Sequence, residues 1–164
     1  MASKTTGGTP ATELLATAGI PFTLHPYAHQ DASRDFGAEA ARELGVDPSR
    51  LFKTLVVEVQ TAPPQLVVAV VPVSTQLDLK SLAATLGAKR ATMANHTQAE
   101  RSSGYVVGGI SPIGQKTGLL TLVDETAQLW DSILVSAGRR GLQVELAPAD
   151  LLRATGARYA DLAR

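Results

Sequence analysis

Two runs rich in valine and leucine dominate the middle of the chain. The first covers Leu51–Val59 and the second Leu66–Val73, and turn-forming residues flank both. Branched side chains in runs of this length favour β-strands, and their near-continuous apolar character predicts burial on both faces. The segment Gln60–Gln65 contains two adjacent prolines and predicts a hairpin loop rather than a linker between domains.

Length and charge fit one globular domain. The chain has 164 residues, of which 45% are hydrophobic, and its 15 basic side chains balance 15 acidic ones. A net charge of zero argues against a protein that coats nucleic acid or a membrane through its overall field. We expect residues 1–9 to form a flexible leader and residues 10–164 to form a single domain.

The sequence lacks cysteine and any long apolar segment. Without cysteine there is no disulfide, no thiolate metal ligand and no cysteine nucleophile. The longest apolar stretch, Leu66–Val73, has eight residues, against the ~20 that a membrane-spanning helix needs. We therefore expect a cytoplasmic protein that does not bind membranes.

Short helices and strands are predicted around the hairpin. Periodicity and capping residues predict helices over residues 11–18, 36–44, 78–86, 97–101, 148–154 and 159–163. Thr9 and Pro10 are predicted to begin the first helix, and Gly45 to end the second. Glycine-flanked apolar runs predict further strands over residues 22–26, 105–107, 119–123, 133–135 and 142–146. This order indicates an α+β fold with a mixed, mostly antiparallel sheet and helices packed outside it.

Lys53 interrupts the first strand of the hairpin near its beginning. It shares a face with Leu55 and Val57, which we expect to point into the core. An ammonium group on that face must reach a cleft or bind an anion, because burying it alone costs several kcal/mol. Such a lysine can anchor a phosphate, a carboxylate or a developing oxyanion. A lysine on an exposed strand edge is the alternative that the pattern leaves open.

The segment Gly104–Gly118 has five glycines in fifteen positions. A loop of this kind can turn backbone N–H groups toward a ligand without side chains in the way. A pair of tight turns between short strands is an equally open alternative. The segment is not a phosphate loop, because Gln115 occupies the position of the required lysine, and it is not a dinucleotide fingerprint.

The remaining polar residues show no metal or nucleophile pattern. His25 and His29 are four apart, but Pro26 lies between them and disfavours the helix that would align them, so we expect no metal site. Arg139 and Arg140 in a predicted turn can meet phosphates or face solvent. The chain has no Ser-His-Asp order or nucleophile elbow.

Several segments, in their order and spacing, resemble one known family. They are Phe52–Val57, Ala69–Val73, Gln76–Lys80, Gly87–Arg90, Arg101–Lys116 and Ser136–Leu142. The chain is similar to the YbaK/EbsC-type aminoacyl-tRNA deacylases, most of all to the branch that acts on Cys-tRNA(Pro). The similarity covers residues 10–164 and implies a YbaK-like fold, with a barrel-like sheet surrounded by helices.

The resemblance implies trans-editing, the hydrolysis of the ester that joins a wrong amino acid to tRNA. Prolyl-tRNA synthetase mischarges tRNA(Pro) with cysteine or alanine, because a pocket rejects small isosteres poorly. The implied partners are the acceptor end of mischarged tRNA(Pro) and, transiently, prolyl-tRNA synthetase, with no cofactor and no metal. Either water or the thiol of a cysteinyl substrate is the attacking group.

The resemblance also assigns residues to the site. It implies that Lys53, Gly108 and Tyr27 are catalytic, with Lys53 anchoring the tRNA 3′ end or the ester. The loop Gly108–Pro112 would contact the aminoacyl carbonyl. The residues implied to bind substrate are Thr54, Gly109, Ile110, Ser111, Pro112, Ser136 and Gln143.

Gln143 departs from the family pattern, which usually has an aspartate there. A glutamine offers hydrogen bonds but no charge to the substrate. The edited amino acid therefore stays open between cysteine, alanine and other small residues. A non-catalytic module that binds tRNA or the synthetase is the other alternative, and retention of Lys53 and of Gly108–Pro112 argues against it.

Overall fold

The computed structural model describes residues 8–164, which contain five α-helices and eight strands. The helices are α1 (Pro10–Thr17), α2 (Phe36–Leu44), α3 (Leu79–Thr85), α4 (His96–Ser103) and α5 (Pro148–Thr155). The strands are β1 (Thr23–Pro26), β2 (Phe52–Val59), β3 (Gln65–Pro72), β4 (Ala91–Met93), β5 (Thr121–Asp124), β6 (Ile133–Arg139), β7 (Leu142–Leu146) and β8 (Arg158–Ala160).

The strands form two sheets. The larger has the order β4-β2-β3-β5-β8, and the smaller has the order β1-β7-β6. β2 and β3 form the predicted antiparallel hairpin along their full length, whereas β3 pairs with β5 and β5 with β8 in parallel. The α+β class and the mixed sheet are therefore confirmed. The sheets do not close into a barrel; an isolated parallel bridge between Leu51 and Leu134 joins them.

Local signals set the helix ends as the sequence predicted. The Thr9 side chain accepts a hydrogen bond from the Thr12 N–H and begins α1, with Pro10 in the first turn. Gly45 ends α2 in the left-handed region, at φ 65°. Of the predicted leader, residues 1–7 lie outside the described residues, and Thr9 is a buried helix cap.

Two predicted elements are wrong and one strand was missed. Residues 105–107 lie in bends and turns rather than in a strand, because the positive-φ glycines Gly104 (φ 81°) and Gly108 (φ 92°) on either side interrupt the extended chain. Residues 159–163 do not form a helix, since Arg158–Ala160 pair in parallel with β5. The short strand β4, which pairs with the end of β2, has no counterpart in the prediction.

The larger sheet separates two apolar clusters. Phe52, Val68 and Val70 face one cluster, while Val57 and Val71 face the other, and all five are at most 1% exposed. Each valine buried in this way contributes roughly 1.5–3 kcal/mol relative to an exposed side chain. Among the described residues, no helix has both the length and the apolar character to cross a membrane.

Candidate active site

A cavity of about 370 Å³ opens beside the first half of β2. Its wall is built from six consecutive residues of that strand region, the start of α2, the end of β4, the start of α4, the glycine-rich loop and the smaller sheet. The lining residues are Asp35, Phe36, Gly37, Leu51, Phe52, Lys53, Thr54, Leu55, Val56, Met93, Ala94, His96, Ala99, Val107, Gly108, Ile110, Ser136 and Gln143.

The cavity exists because one edge of β2 is only partly covered. β4 pairs with Val57–Val59 alone, and the bridge to the smaller sheet takes Leu51. Between these contacts, Phe52–Val56 present a strand edge to the cavity, with the Val56 carbonyl accepting from the Ala94 N–H. An open strand edge offers backbone donors and acceptors to a ligand.

Lys53 lines this cavity and is partly buried. Its Nζ donates to the Thr75 carbonyl at 3.0 Å, and it forms no ion pair with any described acidic residue. Burial lowers the pKa of Lys53, and the nearby Asp35 carboxylate partly opposes this shift. A cation whose charge is poorly compensated in this way is suited to bind an anionic group.

Gly108 lies against Phe36 at the cavity wall. Its φ is 92°, and a β-carbon added there would be 2.6 Å from the Phe36 ring, so only glycine fits. Within residues 8–164 its N–H has no acceptor. The N–H of Gly109, in contrast, donates to the Val106 carbonyl at 2.9 Å.

The Phe36 ring also makes a cation–π contact with Arg140. The Arg140 guanidinium carbon lies 4.9 Å from the ring centroid, and Arg140 Nε donates to the Val107 carbonyl at 2.9 Å. These contacts fix the β6–β7 turn against the glycine-rich loop.

Two buried polar atoms of the cavity residues have no protein partner. Thr54 Oγ1 and Gln143 Oε1 form no hydrogen bond within the described part of the chain, and Gln143 is 5% exposed. A buried polar atom without a partner costs about 1–3 kcal/mol, so it favours a bound ligand that would satisfy it. Ser136 Oγ already accepts from the Gly138 N–H at 3.1 Å, but its O–H can still donate.

Six of the ten predicted site residues line the cavity: Lys53, Gly108, Thr54, Ile110, Ser136 and Gln143. The other four do not, and three of them are buried within the glycine-rich loop. Ser111 is fully buried and accepts from the Ile113 N–H. A β-carbon on Gly109 would be 2.7 Å from the Arg139 backbone. Pro112 is buried within the same loop.

Tyr27 is the fourth predicted residue outside the lining. Its N–H donates to the Gly141 carbonyl at 2.9 Å, at the end of β1. Burial raises the pKa of Tyr27, while hydrogen bonding to Gly141 and Gln143 opposes the shift. Tyr27 therefore contacts a cavity residue, Gln143, without reaching the cavity itself.

The prediction missed Asp35, Phe36, Met93 and His96, which the structure adds to the cavity. Phe36 and Asp35 read in the sequence as an ordinary helix start, and nothing local links them to β2. Within residues 8–164, no group of three or more histidine or acidic side chains is arranged to hold a metal ion. His25 contacts Glu145 and His29 contacts Glu39, both within 2.8 Å.

The family profile of the aminoacyl-tRNA editing domain matches residues 32–154, which include every residue that lines the cavity. The chain belongs to the aminoacyl-tRNA editing domain family. Its resemblance to deacylases, predicted from the motifs, is thereby confirmed, and so is its assignment as an enzyme that acts on aminoacyl-tRNA.

Known proteins are similar to this chain in sequence and fold. EbsC of Enterococcus faecalis, named as a Cys-tRNA(Pro)/Cys-tRNA(Cys) deacylase, is 39% identical over 161 residues, which cover 97% of this chain and 95% of EbsC. The crystal structure of a hypothetical protein has 26% identity and a TM-score of 0.83, covering 94% of this chain and 99% of that one.

A third relative is similar in fold alone. The crystal structure of a protein described as a trans-editing enzyme for prolyl-tRNA synthetase has 24% identity and a TM-score of 0.82. The match covers 94% of this chain and 95% of that one.

Proposed function

We propose that this editing domain removes cysteine from Cys-tRNA(Pro) in trans. The observation that carries the proposal is that one cavity is lined by both Lys53 and Gly108, and the Gly108 N–H has no acceptor among the described residues. The similarity to EbsC supports cysteine as the amino acid and tRNA(Pro) as a carrier. A volume of about 370 Å³ suits a small aminoacyl group on part of a terminal adenosine.

In this proposal, Lys53 holds the 3′ end or the ester, and the glycine loop meets the carbonyl. When the attacking group adds to the carbonyl carbon, negative charge develops on the carbonyl oxygen, where the Gly108 N–H and the Lys53 ammonium stabilise it. The bond from this carbon to the ribose oxygen then breaks. The proton given up by the attacking water or thiol passes to the ribose oxygen, which leaves as a hydroxyl.

The attacking group in this reaction is water or the thiol of the cysteinyl substrate. Cavity hydroxyls come from Thr54 and Ser136, and neither is hydrogen-bonded to a histidine within the described residues. A serine or threonine nucleophile needs an adjacent base, so this arrangement favours an attacking group that the protein does not supply.

A second candidate substrate is Ala-tRNA(Pro), and Gln143 favours it. The neutral amide of Gln143 lines the cavity where the family usually has an aspartate. Without that charge, a site selects less strongly for one side chain among small amino acids.

The proposal includes a limited contact with tRNA. A net charge of zero suits a protein that binds only the acceptor end of tRNA. In this proposal prolyl-tRNA synthetase, a transient partner in the cytoplasm, binds the remainder of the tRNA.

The test is a time course of deacylation for Cys-, Ala- and Pro-tRNA(Pro) with wild type, Lys53→Ala and Lys80→Ala. Lys80 is an exposed lysine on α3 and serves as the matched control. We expect Cys-tRNA(Pro) to lose its amino acid fastest, and Lys53→Ala to lower the rate about 100-fold or more.

Equal decay with and without the wild-type protein would contradict the deacylase function. Tight binding of aminoacyl-tRNA without hydrolysis would instead favour the non-catalytic module. A faster reaction with Ala-tRNA(Pro) would support the second candidate substrate.

A further inference from the structure

Two opposite charges line the cavity without pairing with each other. Asp35 and Lys53 are both lining residues, yet neither takes part in an ion pair among residues 8–164. The Asp35 carboxylate is close enough to raise the pKa of Lys53 against the effect of burial. A cavity with both charges suits a ligand that has a positively charged group for Asp35 and an anionic or polarised group for Lys53.

The position of Asp35 in the fold does not require its negative charge. Asp35 is the N-cap of α2, and its Oδ1 accepts from the Ala38 N–H at 3.3 Å. Asparagine and aspartate are equally good N-cap residues. The cap therefore explains why a short side chain with an acceptor oxygen lies here, but it does not explain the negative charge. A carboxylate at the mouth of a tRNA site also repels phosphates, which makes the charge unfavourable unless it meets a cation.

A second observation comes from the opposite sheet. Gln143 on β7 lines the same cavity, is 5% exposed, and has an Oε1 atom with no donor in the described part of the chain. This atom is a neutral acceptor, and among the described residues that line the cavity Asp35 is the single acidic one.

We propose that Asp35 forms an ammonium-binding subsite, in which its carboxylate and the Gln143 Oε1 atom hold the α-ammonium group of the aminoacyl ester. The inference rests on the proposed function, because an aminoacyl ester places an ammonium beside the reacting carbonyl. With Lys53 on the ester or phosphate and Asp35 on the ammonium, the substrate is held at two points of opposite charge.

The experiment compares an aminoacyl-tRNA(Pro) that the wild type hydrolyses with its N-acetylated form, which has no ammonium group. The variants are Asp35→Asn, which keeps the helix cap, and Asp31→Asn, which removes the same charge from an exposed residue outside the cavity. Thermal melting checks that both variants fold.

We expect Asp35→Asn to raise KM and lower kcat/KM by about 10- to 100-fold for the free-amino substrate. The N-acetylated substrate should react slowly with wild type and be affected less than about threefold by the variant. Asp31→Asn should act like wild type or bind tRNA slightly better, since it removes a repulsive charge.

Two results would overturn the ammonium subsite while leaving the deacylase intact. One is an unchanged KM in Asp35→Asn, and the other is an equal loss for both substrates. A non-hydrolysable aminoacyl-adenosine with an amide link provides a test that does not depend on turnover. Wild type should bind it more tightly than its N-acetylated form, and equal binding would refute the subsite even if no hydrolysis is found.

Discussion

The ring of Phe36 lies so near Gly108 that a β-carbon added to this glycine would be 2.6 Å from it. We therefore expect Gly108→Ala to push the ring into the cavity and to strain the backbone, which has φ 92°. The cost should be about 1–3 kcal/mol of unfolding free energy together with loss of deacylation. Chemical denaturation and the deacylation assay measure the two effects.

Gly118→Ala provides the matched control for this prediction. Gly118 lies in the same glycine-rich segment, but an added β-carbon meets nothing within 4 Å. Its substitution should leave both stability and activity near wild type. Full activity in Gly108→Ala would mean that the glycine loop does not shape the site.

Lys53→Met should separate function from stability. Because burial lowers the pKa of Lys53, the folded protein binds fewer protons there than the unfolded chain, so this group makes stability rise as the pH approaches 10.5. The variant should lose deacylation yet unfold at pH 7 with an equal or higher free energy. Lys80→Met is the control, and a clear destabilisation by Lys53→Met alone would contradict this assignment.

Tyr105 should make the fold sensitive to alkaline pH. Burial raises the pKa of Tyr105 to about 12, so its folded form keeps a proton that the unfolded chain releases near pH 10. Wild type should therefore lose up to about 3 kcal/mol from this group between pH 10 and pH 12. Tyr105→Phe lacks this loss, although at pH 7 it is less stable by about 1 kcal/mol because the Ile113 carbonyl loses its donor.

The difference between wild type and Tyr105→Phe, measured by urea denaturation across this range, isolates the tyrosine from other groups that titrate there. A difference that does not change with pH would show that the hydroxyl titrates normally in the folded protein.

Glu39 should make the fold sensitive to acid. It is fully buried, and burial alone would raise its pKa, but the Gln30 N–H and the His29 ring outweigh this effect and hold the pKa of Glu39 below its usual value. The stabilisation that Glu39 provides is fully present above the pKa that this carboxyl has in the unfolded chain. It is lost as the pH falls through the lower pKa that the carboxyl has in the folded protein.

Glu39→Gln should lower the unfolding free energy at pH 7 by about 1–3 kcal/mol, and the gap to wild type should shrink in acid. Glu43→Gln, on the exposed side of the same helix, should have little effect at either pH. A gap that stays constant down to acid pH would contradict the prediction.

Elements with strong local signals were predictable from the sequence. Thr9 and Pro10 begin α1, Gly45 ends α2, and the two valine-rich runs pair as the expected hairpin. Residues 159–163 were misassigned because a short apolar segment fits a helix and a strand alike. Its partner in the sheet, β5, lies more than thirty residues earlier in the chain.

The residues of the candidate site also differ in how far the sequence predicts them. Lys53 is conspicuous because it is a cation in an apolar strand, and Gly108 because glycines are concentrated around it. Asp35 and Phe36 carry no such signal. They belong to the cavity because α2 packs closely at its first turn, where a β-carbon on Gly37 would be 2.7 Å from Val73. Such tertiary contacts are not encoded in any local pattern.

The bridge between Leu51 and Leu134 has a consequence for how the protein loses activity. This isolated bridge joins the two sheets at Leu51, which lines a cavity whose walls come from both of them. If the sheets separate by a few ångströms, Ser136 and Gln143 move away from Lys53 while each sheet keeps its own hydrogen bonds. Editing would then fail under mild heat or denaturant before the loss of secondary structure becomes detectable.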